Sequence, residues 1–117
     1  MSAVEENAST SLITQKAVLV VKKGGLGPNF DIGGIIAIIS QIFQALSACN
    51  PTAAQVHKSI TRPGPLQRRA MKRAIRENEP NPALRPHLES NVLQVGASSN
   101  VDETSAMYRE ATGNEVS

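Results

Sequence analysis

There is no tryptophan in this chain, and only Phe30, Phe43 and Tyr108 are aromatic among its 117 residues. The side chains that usually dominate core burial are nearly missing, so any core has to be aliphatic. Cysteine occurs once, as Cys49, which excludes an internal disulfide and argues against an oxidising compartment, where a domain this small normally carries several. Glu5 and Glu6 stand where a signal peptide needs positive charge, and no apolar stretch precedes residue 12. The expected location is therefore a virion or a cytoplasmic assembly, not secretion through a signal peptide. Asn7-Ala8-Ser9 accordingly reads as a chance match to a glycosylation acceptor.

Catalytic groups are equally scarce. Cys49 and His57 lie eight residues apart on adjoining segments, but no third orienting group accompanies them, and a thiol after an apolar stripe reads as packed. His57 and His87 are the only histidines, and no CxxC or HxxxH spacing occurs, so neither a metal nor another cofactor is expected. Glu77 and Glu79 flank a proline turn and read as exposed charge. The sequence predicts a protein that is not an enzyme.

What the chain does hold is segregated charge. Three basic residues (Lys16, Lys22, Lys23) and three acidic ones (Glu5, Glu6, Asp31) balance through His57; Lys58 to Arg76 carries seven cations and no anion; Glu77 to Ser117 carries seven anions against Arg85 and Arg109. A neutral, basic, acidic order suggests segments that face different surroundings. Burial contributes roughly 25 cal/mol per Å², and ordering costs about 1.5 kcal/mol per residue. A chain with this much Ser, Asn, Gly and Pro is therefore expected to have little independent core and to lean on neighbours.

Along the chain, a polar tail over 1–11 precedes a body over 12–78 and a Pro-rich tether with an acidic segment over 79–117. The run Ala17-Val18-Leu19-Val20-Val21 is continuous and rich in β-branched residues, which predicts one short N-terminal strand. Gly24-Gly25-Leu26-Gly27-Pro28 breaks it as a turn, without the Lys-Ser/Thr or glycine spacing of a nucleotide-binding loop. Asp31 then reads as the cap of an amphipathic helix. Ile32, Ile35, Ile36, Ile38, Ile39, Ile42, Phe43 and Leu46 share its broad face, opposite Ser40, Gln41, Gln44 and Ser47. No formal charge occurs from Ile32 through His57, so another chain or lipid headgroups are expected over the polar side.

Asn50-Pro51 predicts the start of a second, short helix with Ala53, Val56 and Ile60 on one side. Residues 66–78 give the clearest period, with Leu66, Ala70, Met71, Ala74 and Ile75 on one half of a helix and Arg68, Arg69, Lys72, Arg73 and Arg76 on the other. Pro80, Pro82 and Pro86 predict an extended tract, followed by scattered apolar contacts at Leu88, Val92, Leu93 and Val95. Asn100 reads as the cap of a last helix that holds Asp102 and Glu103 in its first turn and ends at Gly113. The fold class expected is mainly α: short helices joined by Pro/Gly-rich extended segments, as an extended subunit of an assembly.

In length, composition and the order of polar tail, strand, uncharged Ile-rich helix and basic helix, the chain resembles small accessory virion proteins of tailed or membrane-containing bacterial viruses. The likeness is general and covers the whole chain, so no residue role follows from it. It implies a non-enzymatic structural subunit of a large homo- or hetero-oligomer, bacteriophage-like. From the residues themselves, the apolar run and the uncharged helix mark Val18, Val20, Ile35, Ile39, Ile42, Phe43 and Leu46 as the expected subunit contacts. Two alternatives come from the residues alone. The Ile-rich helix with the basic helix suits an anionic membrane surface, and the basic face of Arg68, Arg69, Lys72, Arg73 and Arg76 suits nucleic-acid backbone without base readout.

Overall fold

The computed structural model describes residues 11–23 and 32–117. Within them the chain forms six helices, α1 (Leu12–Lys23), α2 (Ile32–Ser47), α3 (Ala53–Ser59), α4 (Pro65–Asn78), α5 (Arg85–Ala97) and α6 (Val101–Thr112), with a 3-10 turn at Pro82–Leu84 and no strand. The expected turn at Gly24–Pro28, the Asp31 cap and the tail through residue 10 lie outside the described residues.

The expected strand at Val18–Val21 is the second half of α1. Ile13, Ala17, Val20 and Val21 are buried at spacings of four, three and one, which is one stripe of a 3.6-residue helix, while Leu19 is half exposed. Strand propensity reflects packing more than backbone preference, and here the helical stripe decides. Ser11 begins the helix, its Oγ accepting from the Thr14 N–H at 3.1 Å. The remaining free donors are met from across the molecule. The Glu110 carboxylate on α6 accepts from the Leu12 and Ile13 N–H groups at 2.9 and 3.3 Å, a position where the helix dipole also favours negative charge.

α2 touches every other helix. That central place covers its apolar face, while on the polar side Ser40, Gln41 and Ser47 are half-buried and Gln44 is exposed, its Nε2 donating to the Ala111 carbonyl at 3.3 Å. Ile35, Ile39, Ile42, Phe43 and Leu46 are all buried against other helices of the same chain. Val20 is buried on α1 and Val18 is half-buried there. Of the residues that the sequence assigned to subunit contacts, all but Val18 are buried inside the chain's own fold. Phe43 meets Tyr108 of α6 edge to face, with ring centroids 5.9 Å apart and planes at 64°, the arrangement the ring quadrupoles favour.

After Ser47 the chain turns through Asn50, whose φ of 50° is left-handed, a geometry Asn tolerates. The cap of α3 is Thr52, two residues later than expected, in a reciprocal pair with Gln55. The Pro-rich tract is not an extended tether. Asn81 caps the 3-10 turn, and Pro86 sits in the first turn of α5, where a missing N–H costs nothing. Leu88, Val92 and Val95 then fall on one buried stripe. α6 runs as expected from an Asn100 cap paired with Glu103 to Gly113 at φ 74°.

All six helices contribute to one cluster of twenty buried apolar side chains. The radius of gyration is 13.7 Å, against about 13.4 Å for a compact chain of this length. The chain therefore has a core of its own, and the extended, core-poor subunit read from composition is not what it forms. Isoleucine, valine and methionine fill the space that aromatics would have taken.

Candidate functional site

α4 is anchored by Met71, Ala74 and Ile75, which are buried against α2 and α5. At about 100° per residue, Arg68, Lys72, Arg76, Arg69 and Arg73 fall within an arc of about 140° on the opposite side, over about 12 Å of helix axis. All five are exposed. None of their side chains forms an ion pair or hydrogen bond with another described residue, the two ion pairs among the described residues being Lys16 with Glu103 and Arg109 with Glu115. Glu77, one turn beyond Arg73, leaves it unpaired. The basic face read from the sequence is therefore present as a face. Leu66, grouped with the apolar half, is instead 73% exposed at the start of the helix, because the core contact begins a turn later at Met71.

A groove of about 320 Å³ runs between α4 and the start of α5, lined by Lys72, Ile75, Arg76, Pro82, Arg85, Pro86 and Glu89. Two of its cations belong to the α4 face. The third, Arg85, comes from the tract that the sequence left without a role. Its guanidinium is held in place: Nε donates to the Glu79 carbonyl at 2.9 Å and Nη2 to the Pro80 carbonyl at 3.3 Å. The sequence signal was a lone arginine between prolines, which gives no hint of proximity to Arg76.

Cys49 and His57 are not brought together as a catalytic pair. Cys49 is exposed in the turn after α2, not packed as expected, because the helix ends at Ser47. It lines a groove of about 310 Å³ with Pro51, Gln55, Lys58 and Gln67. The His57 ring lies with Nδ1 3.3 Å from Thr104 Oγ1 on α6. Among the described residues no cluster of three or more His, Cys, Asp or Glu side chains is placed to hold a metal ion, and no helix is long and apolar enough to cross a membrane.

One carboxylate departs from its ordinary behaviour. The Asn100 backbone N–H first, and the Lys16 ammonium second, hold the Glu103 carboxyl below the usual range, against a smaller opposing effect of desolvation. This pair joins α1 to α6.

No protein-family model, curated protein or solved structure matches this chain.

Proposed function

We propose that the chain is a non-enzymatic binding module whose α4 face engages the phosphate backbone of nucleic acid without reading base sequence. The observation that carries this reading is the set of five exposed cations on α4, none of which forms an ion pair with a described residue. Like charges at Arg68 and Lys72, Arg69 and Arg73, and Lys72 and Arg76 stand four residues apart on one helix, and each such pair destabilises by about 0.2–0.5 kcal/mol. An external polyanion relieves that repulsion and releases its own counterions on contact. Base readout is not part of the proposal, since no aromatic side chain lies on α4 and a flat cationic face meets phosphate rather than base edges.

Such a module fits the inward side of a virion or another nucleic-acid-containing assembly, the setting suggested by the order of segments. The non-enzymatic part rests on the scarcity of catalytic groups in the sequence. Membrane insertion through Ile32–Leu46 has less support, because that apolar face is spent inside the fold.

The test is binding of the full chain to two duplexes of unrelated sequence, compared with an Arg68→Gln/Arg69→Gln/Arg73→Gln/Arg76→Gln variant. The reading expects similar affinities for both duplexes and loss of both in the variant. Unchanged binding by the variant overturns it.

A further inference from the structure

We propose that the groove between α4 and α5 seats one unstacked nucleotide of a single strand, so that this face favours single-stranded over duplex nucleic acid. The inference rests on the backbone-binding reading above and adds a strand preference to it.

The groove combines two kinds of wall. Ile75, Pro82 and Pro86 give it an apolar side, and Lys72, Arg76 and Arg85 give it three cations against the single carboxylate of Glu89. A nucleotide has that same division, an anionic phosphate beside a base whose flat faces are apolar. The volume of about 320 Å³ lies at the small end of small-molecule sites, which suits one residue of a polymer rather than a larger ligand.

Continuity with the α4 face gives the occupant its identity. Lys72 and Arg76 belong to both the exposed stripe and the groove, so a backbone lying along the stripe passes the groove mouth. A single strand can turn one nucleotide out of the stack at that point and bring its phosphate to Arg85. A duplex has to break a base pair and two stacking contacts first.

Arg85 is already ordered by the Glu79 and Pro80 carbonyls, so less side-chain freedom is lost when it takes a phosphate oxygen. The proline rings are likewise rigid before binding. They stand where single-strand binders usually place an aromatic platform, which explains how a chain with almost no aromatics can still receive a base.

The experiment is fluorescence anisotropy of the full chain with a labelled oligothymidylate and with a labelled duplex of equal length, each titrated over a range of NaCl. Arg85→Gln is expected to flatten the single-strand slope of log affinity against log salt by about 0.7, leaving the duplex slope as it was. Glu89→Gln is expected to raise single-strand affinity at low salt by about twofold to threefold, a gain that misfolding cannot produce.

If both variants bind the single strand as the wild type does, the groove takes no nucleotide and the inference fails, while the α4 face stands. Equal changes on single strand and duplex overturn the strand preference. If the wild type binds neither probe, the backbone-binding reading itself is wrong and the groove inference falls with it.

Discussion

The Lys16 ammonium on α1 donates to Glu103 Oε2 of α6 at 3.1 Å and to the Ser98 carbonyl at the end of α5 at 2.8 Å. One buried cation thus joins three helices, and the second oxygen of Glu103 accepts from the Asn100 N–H at 2.9 Å. The carboxylate caps its own helix and pairs with its neighbour at once.

A pH dependence follows from that double role. The Glu103 carboxyl is held low by the Asn100 N–H and then by Lys16, so its contribution is present above the unfolded carboxylate value of about 4.3 and is lost as pH falls through the lower folded value. Glu103→Gln is expected to melt at a lower temperature than wild type at pH 7. The two melting temperatures should converge as the pH is taken below the unfolded value, which circular dichroism can follow.

The cap on α1 comes from a residue ninety-eight positions away from Leu12. Glu110→Ala leaves the Leu12 and Ile13 N–H groups without that acceptor and is expected to cost about 1 kcal/mol, the usual loss for a helix cap. Amide hydrogen exchange should accelerate first in the opening turn of α1, with α4 unaffected.

Gly96 marks a close approach of backbones. A Cβ there would overlap the Ile60 carbonyl oxygen and come within 2.9 Å of Thr61 Cγ2, and neither the end of α3 nor α5 has slack to absorb it. Gly96→Ala is expected to destabilise by about 1–3 kcal/mol, as overpacking does, despite alanine's better helix propensity. Urea unfolding measures it.

The α4 stripe trades stability for charge. Arg69→Gln/Arg73→Gln removes one like-charged pair four residues apart and is expected to stabilise the free chain by a few tenths of a kcal/mol at low salt. The gain should shrink in high salt as screening already hides the repulsion. Melting temperatures of the two chains at low and high NaCl read this directly.

α4 and α6 were legible in the sequence because their signals are local. In α4 the cations and the core-facing Met71, Ala74 and Ile75 separate cleanly, and in α6 Asn100, Glu103 and Gly113 mark both ends. α1 was not, because Ala17–Val21 is an unbroken apolar run that fits a strand as well as a helix, and only Ile13 and Lys16 behind it carry the helical stripe. α5 hid behind Pro86, a helix breaker in the interior but a favoured first-turn residue. Its buried stripe also includes Asn91 and Gly96, which blur the apolar period. The uncharged α2 looked like an interface because a central helix and a subunit contact have the same composition. The groove could not be read at all, since Arg85 meets Lys72 and Arg76 only through the packing of α5 on α4.

The central claim is that α4 neutralises phosphates, and the salt dependence of duplex binding tests it most directly. Each duplex phosphate contact contributes about 0.9 to the slope of log affinity against log salt, so four lost arginine contacts should flatten it by about 3.6. The account predicts a steep slope for the wild type and a drop approaching that size in the Arg68→Gln/Arg69→Gln/Arg73→Gln/Arg76→Gln variant. A wild-type slope near zero, or the same slope in both chains, would contradict it.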